Sequence, residues 1–277
     1  MRMDSPTLRV LSLGAGVQSS TLYLMALAGE FGAMPNVAIF ADTQWEPPTV
    51  YEWLDRLDAI GGTIIPIHRV TKGDIRAEAL RRGGSKAGYR AVSLPLYVEN
   101  ANGSRGIIHR QCTAKFKIEP ITKEIRRLLG VARGARVPNG IVVEQWFGIS
   151  LDEATRMKDP RYPYIRGRWP LIEKRMTRRD CISWLDAHGY PEPPKSACIG
   201  CPFTDDLRWR AMRDEQPAQF ADAIAFDEAI RHGLPGLNRP AFVHDSLKPL
   251  AEVDLSTAEE RGQGNLFENE CEGMCGV

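Results

Sequence analysis

Leu8-Arg9-Val10-Leu11-Ser12-Leu13-Gly14-Ala15-Gly16-Val17-Gln18-Ser19-Ser20 is the stretch on which the fold turns. Leu8 to Leu13 reads as a buried strand and a helical pattern runs from about Gln18 to Gly32, so both glycines fall in a strand-to-helix turn. Glycine in such a turn permits positive φ and lets a ligand approach the backbone closely. The unpaired amides and the positive end of the helix favour an anion, and a phosphate or sulfate would suit it. The turn lacks the Gly-Lys-Ser/Thr ending of a Walker A motif and the third glycine of a dinucleotide fingerprint. Two glycines alone also suit a merely tight connection.

Outward from this turn the pattern repeats. Val37 to Ala41 is a second apolar run, a helix follows Pro48, and a third strand is expected from Thr63 in TIIPI, giving βαβαβ. Strands separated by helices of this length imply right-handed crossovers and a parallel twisted sheet with helices on both faces. From Arg81 to Gly106 the signal fades into Gly, Ser and Asn, as expected of a mobile loop or insertion. A helix is expected from about Lys115, with Ile118, Ile121, Ile125 and Leu128 at helical spacing and Pro120 confined to the first turn. Gly140 to Ser150 reads as a buried strand running into a loop. Thr177 and Asp180 form the pattern of a capping box for a helix through about His188. One or two helices are expected over Leu207 to His232, ahead of an acidic tail.

Composition bounds the function. Of the 277 residues, 36 are basic and 35 acidic, leaving +1, so bulk charge does not drive binding and any nucleic-acid contact must be local. No apolar stretch approaches the roughly 20 residues that span a bilayer, and the first ten residues lack a signal-peptide core, so a cytoplasmic protein with no membrane partner is expected. In a reducing compartment the six cysteines are read for metal or redox chemistry rather than structural disulfides.

Cys198-Ile199-Gly200-Cys201 is a C-x-x-C, with Cys112 lying 86 positions before Cys198. Two thiolates at this spacing can chelate a soft metal, and Cys112 is the obvious third ligand. From the residues alone, zinc, an iron–sulfur cluster and unliganded thiols all remain open. Cys181 sits in an apolar helical stripe with Ile182, Trp184 and Leu185 and reads as a buried core thiol.

Ser12 to Ser20 resembles the PP-loop of the adenine-nucleotide α-hydrolase-like superfamily, which includes ATP pyrophosphatases, tRNA thiolation enzymes and the adenylyl-sulfate and phosphoadenylyl-sulfate reductases. Further segments agree in order. Phe40-Ala41-Asp42-Thr43 with Pro47 to Trp53 resembles the family's second strand. Cys112 to Ile121 is similar to the reductases' C-C-x-x-R-K-V-x-P-L. Gly148-Ile149-Ser150 with Asp152, Glu153 and Arg156 resembles their G-x-R-x-D-E-x-x-R turn, and Trp169-Pro170-Leu171 through Cys201 resembles their later stretch ending I-G-C. The resemblance covers residues 8 to about 203. It implies a nucleotide-binding α/β domain over 1–203, with an inserted loop at about 81–110, and a helical region with a cysteine-containing tail over 204–277. It further implies adenine-nucleotide contacts at Ser12, Gly14, Gly16, Gln18, Ser19, Ser20, Asp42, Thr43, Lys117 and Arg156.

Similarity to the cluster-bearing reductases favours a [4Fe-4S] cluster on Cys112, Cys198 and Cys201. Thr113 stands where those reductases have a second adjacent cysteine, which would leave one iron open to hydrosulfide or substrate sulfur, as in cluster-dependent thiolation enzymes. The ending Glu270-Cys271-Glu272-Gly273-Met274-Cys275 partly resembles the reductases' catalytic tail. Cys271 or Cys275 would there attack sulfur and present the adduct to a thioredoxin-like reductant, or supply a fourth ligand.

Two chemistries follow. In sulfur transfer, ATP adenylates a substrate oxygen and sulfide displaces AMP. A divalent ion such as Mg2+ would clamp the phosphates, and a cysteine desulfurase would be a fitting sulfur donor. Gln18 replaces the usual aspartate, so Asp42 is the carboxylate expected to serve catalysis. In the alternative, the protein reduces an adenylyl sulfate, for which glutamine at position 18 suffices. A nucleotide- and cluster-binding regulator is the third reading. Two basic segments, around Lys115 to Arg127 and Arg156 to Arg179, could line a tRNA or DNA acceptor, with Tyr164 and Trp169 available to stack. A homodimer is also compatible with the sequence.

Overall fold

The computed structural model describes residues 6–81, 94–231, 234, 237, 239–257 and 260. In chain order its elements are β1 (Leu8–Ser12), α1 (Val17–Leu27), β2 (Val37–Asp42), α2 (Pro48–Gly61), β3 (Ile67–Thr71), α3 (Ile75–Leu80), β4 (Tyr97–Glu99), β5 (Arg105–Ile107), α4 (Glu119–Leu128), β6 (Val143–Phe147), β7 (Ile165–Arg168), α5 (Pro170–Glu173), α6 (Arg178–Ala187), α7 (Asp206–Glu215), α8 (Pro217–Ile230) and β8 (Ala241–Phe242). They fall into two compact units, each gathered from separate stretches of chain. The first comprises Met1–Asp42, Pro48–Lys72 and Phe116–Ser196, the second Thr43–Pro47, Gly73–Lys115 and Ala197–Val277.

The first unit is built on five parallel strands in the order β3-β2-β1-β6-β7. Side chains alternate along each strand, so Leu11, Phe40 and Trp146 pack on one face with Leu22 of α1, Leu54 of α2 and Leu185 of α6. Val10, Ile39, Val143 and Ile165 turn to the other face, against Ile125 of α4. Helices therefore cover both faces, as a parallel sheet buried on both sides requires and as the sequence predicts. The chain runs outward from β1 to β2 and β3, then returns on the far side as β6 and β7. The crevice at the carboxyl ends of β1 and β6 is thus a topological switch point, where open α/β sheets bind ligands.

Local chemistry accounts for the boundaries. Thr177 and Asp180 form the expected capping box at the start of α6, and Pro120 is the second residue of α4, which continues directly from a π-helical stretch, Thr113–Ile118, rather than from a free helix start. The helix after the first turn stops at Leu27, short of Gly32, where Gly29 (φ 78°) reverses the backbone. The third strand starts at Ile67 rather than Thr63. The Ile64 and Ile65 amides are used to close the end of α2 on the Gly61 carbonyl, at 2.9 and 2.8 Å. Strand β7 escaped the sequence reading because it is an edge strand whose four residues bury only Ile165.

The second unit contains an antiparallel sheet, β5-β4-β8, with α3, α7 and α8. Part of the segment expected as loop is a hairpin: β4 and β5 pair across Asn100 to Ser104, whose polar residues form the turn, and the Asn100 amide donates to the Ser104 carbonyl at 2.8 Å. Residues 82–93 of that expected loop lie outside the described residues, as do Cys271 and Cys275 of the tail. In α8 the buried Asp227 carboxylate accepts the amides of Val243 and Leu250, both at 2.9 Å, and pairs with Arg231. Among the described residues no helix is long and apolar enough to cross a membrane.

Candidate functional site

The turn between β1 and α1 lies in the first unit, at the switch-point crevice. Its left-handed residue is Ala15 (φ 58°), whereas the expected positive φ is absent from Gly14 and Gly16; Gly16 is extended, at φ −95° and ψ −178°. Internal packing does not demand the two glycines either. A Cβ on Gly16 would meet nothing within 4 Å, and one on Gly14 would make only an ordinary 3.5 Å contact with the Ser19 hydroxyl. What glycine preserves here is open space in front of the first turn of α1. That helix has no side-chain cap, so no capping side chain takes up the amides of its first turn, an arrangement suited to an anion. Gly148, at the end of β6, is required by the fold: a Cβ there would lie 2.7 Å from the backbone N and Cα of Ser19.

The serines divide between structure and site. The Gly14 amide donates to Ser19 Oγ at 3.1 Å, and Ser19 Oγ donates to the Gly16 carbonyl at 3.3 Å, so Ser19 shapes the turn. Ser20 is fully buried and accepts the indole N–H of Trp53 at 2.8 Å, while Ser12 accepts the Gln145 amide at 2.7 Å. Gln18 donates to the buried Ser150 hydroxyl at 3.5 Å. Asp42, at the end of β2, accepts the Tyr51 hydroxyl at 2.9 Å. Arg156 is ion-paired with Glu153, and Lys117 lies in a π-helical stretch, Thr113–Ile118, that runs into α4. Such π-turns recur at functional sites.

All three cysteines nominated for metal lie in the second unit, half-buried, and form no disulfide. The C-x-x-C is a tight turn, with the Cys201 amide donating to the Cys198 carbonyl at 3.0 Å. It is docked on the Thr43–Pro47 segment through the Ile199 amide, which donates to the Trp45 carbonyl at 2.9 Å. Gly200 is obligatory, because a Cβ there would stand 2.2 Å from the Trp45 ring. Trp45 is itself fixed: its indole N–H donates to Asp222 at 2.6 Å, Asp222 pairs with Arg76 at 2.5 Å, and the Phe226 ring packs at 4.7 Å. Arg110 places the Cys112 segment near the C-x-x-C, since its guanidinium lies 5.4 Å from the Phe203 ring centroid and donates to Thr113 at 2.7 Å.

Sequence reasoning missed Glu46, and it assigned Thr43 elsewhere. Glu46 is buried, accepts the Thr43 hydroxyl at 3.1 Å and faces the Cys198 thiol at 3.9 Å; Thr43 Oγ1 lies 3.3 Å from that sulfur. A lone glutamate between a tryptophan and two prolines carries no spacing signal that points to a cysteine 152 positions on. Among the described residues, the metal-ligating atoms that gather within 4.8 Å of one another in a group of three are those of Asp206, His244 and Asp245. That group reads as structural. The Ser246 amide donates to His244 Nδ1 at 3.1 Å, and His244 Nε2 lies 3.0 Å from the Asp206 carboxylate, so the ring is held by hydrogen bonds on both nitrogens.

Burial governs the one cysteine placed in the core: the Cys181 thiol is pushed up to about 12, chiefly by desolvation. It takes no part in either cluster of candidate residues.

A scan of family models and a search of curated proteins each find no match to this chain. Solved structures similar to it include the phosphoadenylyl-sulfate reductase from Candida auris in a phosphate complex, with a TM-score of 0.41 and 15% identity over 69% of this chain and 76% of that one. They also include the U34-tRNA thiolase NcsA from Methanococcus maripaludis with its [4Fe-4S] cluster, with a TM-score of 0.37 and 11% identity over 81% of this chain and 72% of that one.

Proposed function

We propose that this protein is an adenine-nucleotide-dependent sulfur-transfer enzyme that binds ATP at the turn between β1 and α1 and a [4Fe-4S] cluster on Cys112, Cys198 and Cys201. The observation that carries the reading is the construction of the C-x-x-C, where a glycine forced by Trp45 and a backbone anchor on the same residue hold two half-buried thiols in a fixed turn. The donor set suits a soft iron–sulfur centre. The cluster, when bound, would offer an iron that no cysteine holds, where hydrosulfide can reside.

The chain's own residues do the rest. The leading amides of α1 and the space kept by Gly14 and Gly16 take the phosphates. A substrate oxygen then attacks the α-phosphorus, pyrophosphate leaves, and the oxygen has become part of an AMP leaving group. Nucleophilic sulfur displaces AMP at the activated carbon. Asp42 is the carboxylate at the carboxyl end of β2 that would hold Mg2+, with Tyr51 orienting it.

One observation favours reductive cleavage of an adenylyl sulfate as the second reading. Gln18 is neutral and already directed at Ser150, so it is a poor magnesium ligand. In that reading Cys271 or Cys275 attacks sulfur, and a thioredoxin-like reductant releases sulfite. The two are separated by incubating the anaerobically purified protein with ATP and Mg2+, and separately with an adenylyl sulfate and thioredoxin. Pyrophosphate release supports sulfur transfer, thioredoxin-dependent sulfite release supports the reductase, and silence in both with tight nucleotide binding leaves a regulator. Iron and acid-labile sulfide should be lost in Cys112→Ala, Cys198→Ala and Cys201→Ala; stoichiometric zinc in the parent would overturn the cluster.

A further inference from the structure

The near-neutral charge of the chain conceals a strong asymmetry. Residues 156–179 hold nine Lys and Arg against Asp159 and Glu173, a net +7, so the remaining residues sum to −6 within the total of +1. Several of these cations are neutralised: Arg156 by Glu153, Arg168 by Glu173, Lys174 by Glu30 and Arg178 by Glu192. Lys158, Arg161 and Arg166 differ. All three are exposed, and among the described residues none of their side chains has an ion pair or hydrogen bond. Like charges close together along the chain repel, and a polyanion laid across them would remove that repulsion.

An aromatic ring stands among these charges. Tyr162 is 38% exposed, next to Arg161, and its ring centroid lies 5.7 Å from that of Tyr164 with the two rings tilted by 37°, so a second ring supports it. Met157, at 37% exposed, adds apolar surface beside Lys158. The segment is not a loose loop. The Ile165 amide donates to the Tyr162 carbonyl at 2.9 Å. Gly167 of β7 is hemmed in by the Trp169 ring and by Pro160, at 2.6 and 3.3 Å from where a Cβ would be. The charged turn is therefore folded onto β7, the edge strand of the parallel sheet.

We infer that Met157–Pro163 and the edge strand β7 form a docking surface for a single-stranded nucleic acid, with phosphates on Lys158, Arg161 and Arg166 and a base stacked on Tyr162. Exposed cations at positions 158, 161 and 166 with an exposed ring at 162 between them in the chain match the two features that every single strand offers, a charged backbone and an unstacked base face. An acidic peptide would use the charges and leave the ring unexplained. The inference deepens the sulfur-transfer reading by naming the chemical class of the acceptor, and it rests on that reading only there. Binding itself requires neither nucleotide nor cluster, so the two can fail separately.

The test is fluorescence anisotropy of the full chain with single-stranded RNA and single-stranded DNA of about 20 nucleotides, with heparin and polyglutamate as base-free polyanions. Binding of either single strand supports the surface, and the tighter of the two identifies the acceptor. The Lys158→Ala/Arg161→Ala/Arg166→Ala variant should keep the parental denaturation midpoint and iron content, while its slope of log affinity against log salt falls by about 2, at roughly 0.7 per phosphate contact. Tyr162→Ala should weaken single-strand binding roughly 5- to 100-fold and leave heparin binding unchanged, with Tyr162→Trp restoring it. The inference is overturned by an absence of single-strand binding at low salt. It is equally overturned by a parental salt slope in the triple variant, or by heparin or polyglutamate bound as tightly as nucleic acid with no effect of Tyr162→Ala.

Discussion

Two glycines near the start of α1 should separate folding from ligand binding. In Gly148→Ala the new methyl would sit 2.7 Å from the backbone N and Cα of Ser19, against the 3.4 Å at which ordinary contact begins, so β6 and α1 must part by about 0.7 Å. Neither atom can rotate away, because both belong to helical backbone. Overpacking of this kind costs about 1–3 kcal/mol, which at an m-value of about 2–3 kcal/mol/M moves a urea midpoint down by roughly 0.3–1.5 M. In Gly16→Ala the backbone is already extended and the methyl meets nothing, so stability should change by less than about 1 kcal/mol. The methyl would nevertheless occupy space reserved for phosphate, and ATP affinity by calorimetry should fall roughly tenfold or more. A Gly148→Ala protein that unfolds at the parental urea concentration would refute the packing account. A Gly16→Ala protein that binds ATP as the parent does would refute the role of the turn.

Replacing Asp227 with Ala strips the partner from two buried amides and from Arg231, so it should cost about 3–5 kcal/mol and appear as a lowered midpoint of the transition that monitors α8. Cys181, with its thiol pushed up to about 12, holds a thiolate fraction of roughly one in ten thousand at pH 8; iodoacetamide should label it only in urea, and labelling of the native protein would contradict its burial. Glu124 is held below the ordinary carboxylate range, first by the Arg127 hydrogen bond and then, after an opposing desolvation contribution, by His68. Its stabilisation is therefore complete above the unfolded value of about 4.3 and lost as pH falls through the lower folded value. Glu124→Gln should flatten the acid limb of the stability curve, and an unchanged limb would show that the pair contributes nothing.

The parallel sheet was legible because β2 is an apolar run up to its last residue and β1 and β6 are mainly apolar around one or two polar residues, close to the pattern that burial on both faces imposes. The capping box of α6 was legible because its two partners are three residues apart. Strand β7 was not, since an edge strand need bury only one residue in four and its arginines read as a solvated stretch. Gly14 and Gly16 marked the turn between β1 and α1, but the left-handed conformation expected of them falls on Ala15. The C-x-x-C could be read from spacing, whereas its supports, Trp45, Asp222 and Arg76, are brought together from three distant parts of the chain. Long-range contacts of that kind leave no periodic trace in a single sequence.

The division of the chain has a practical corollary. The polypeptide passes from one unit to the other five times, after residues 42, 47, 72, 115 and 196. No single cut can therefore release either half by itself. Removing residues 197–277 leaves the first unit whole but still carrying 43–47 and 73–115 of the second, removing 1–42 leaves the second whole but tied to the rest of the first, and the three cuts between divide both, so neither half is expected to behave as a portable module that could be expressed, shuffled or inherited alone.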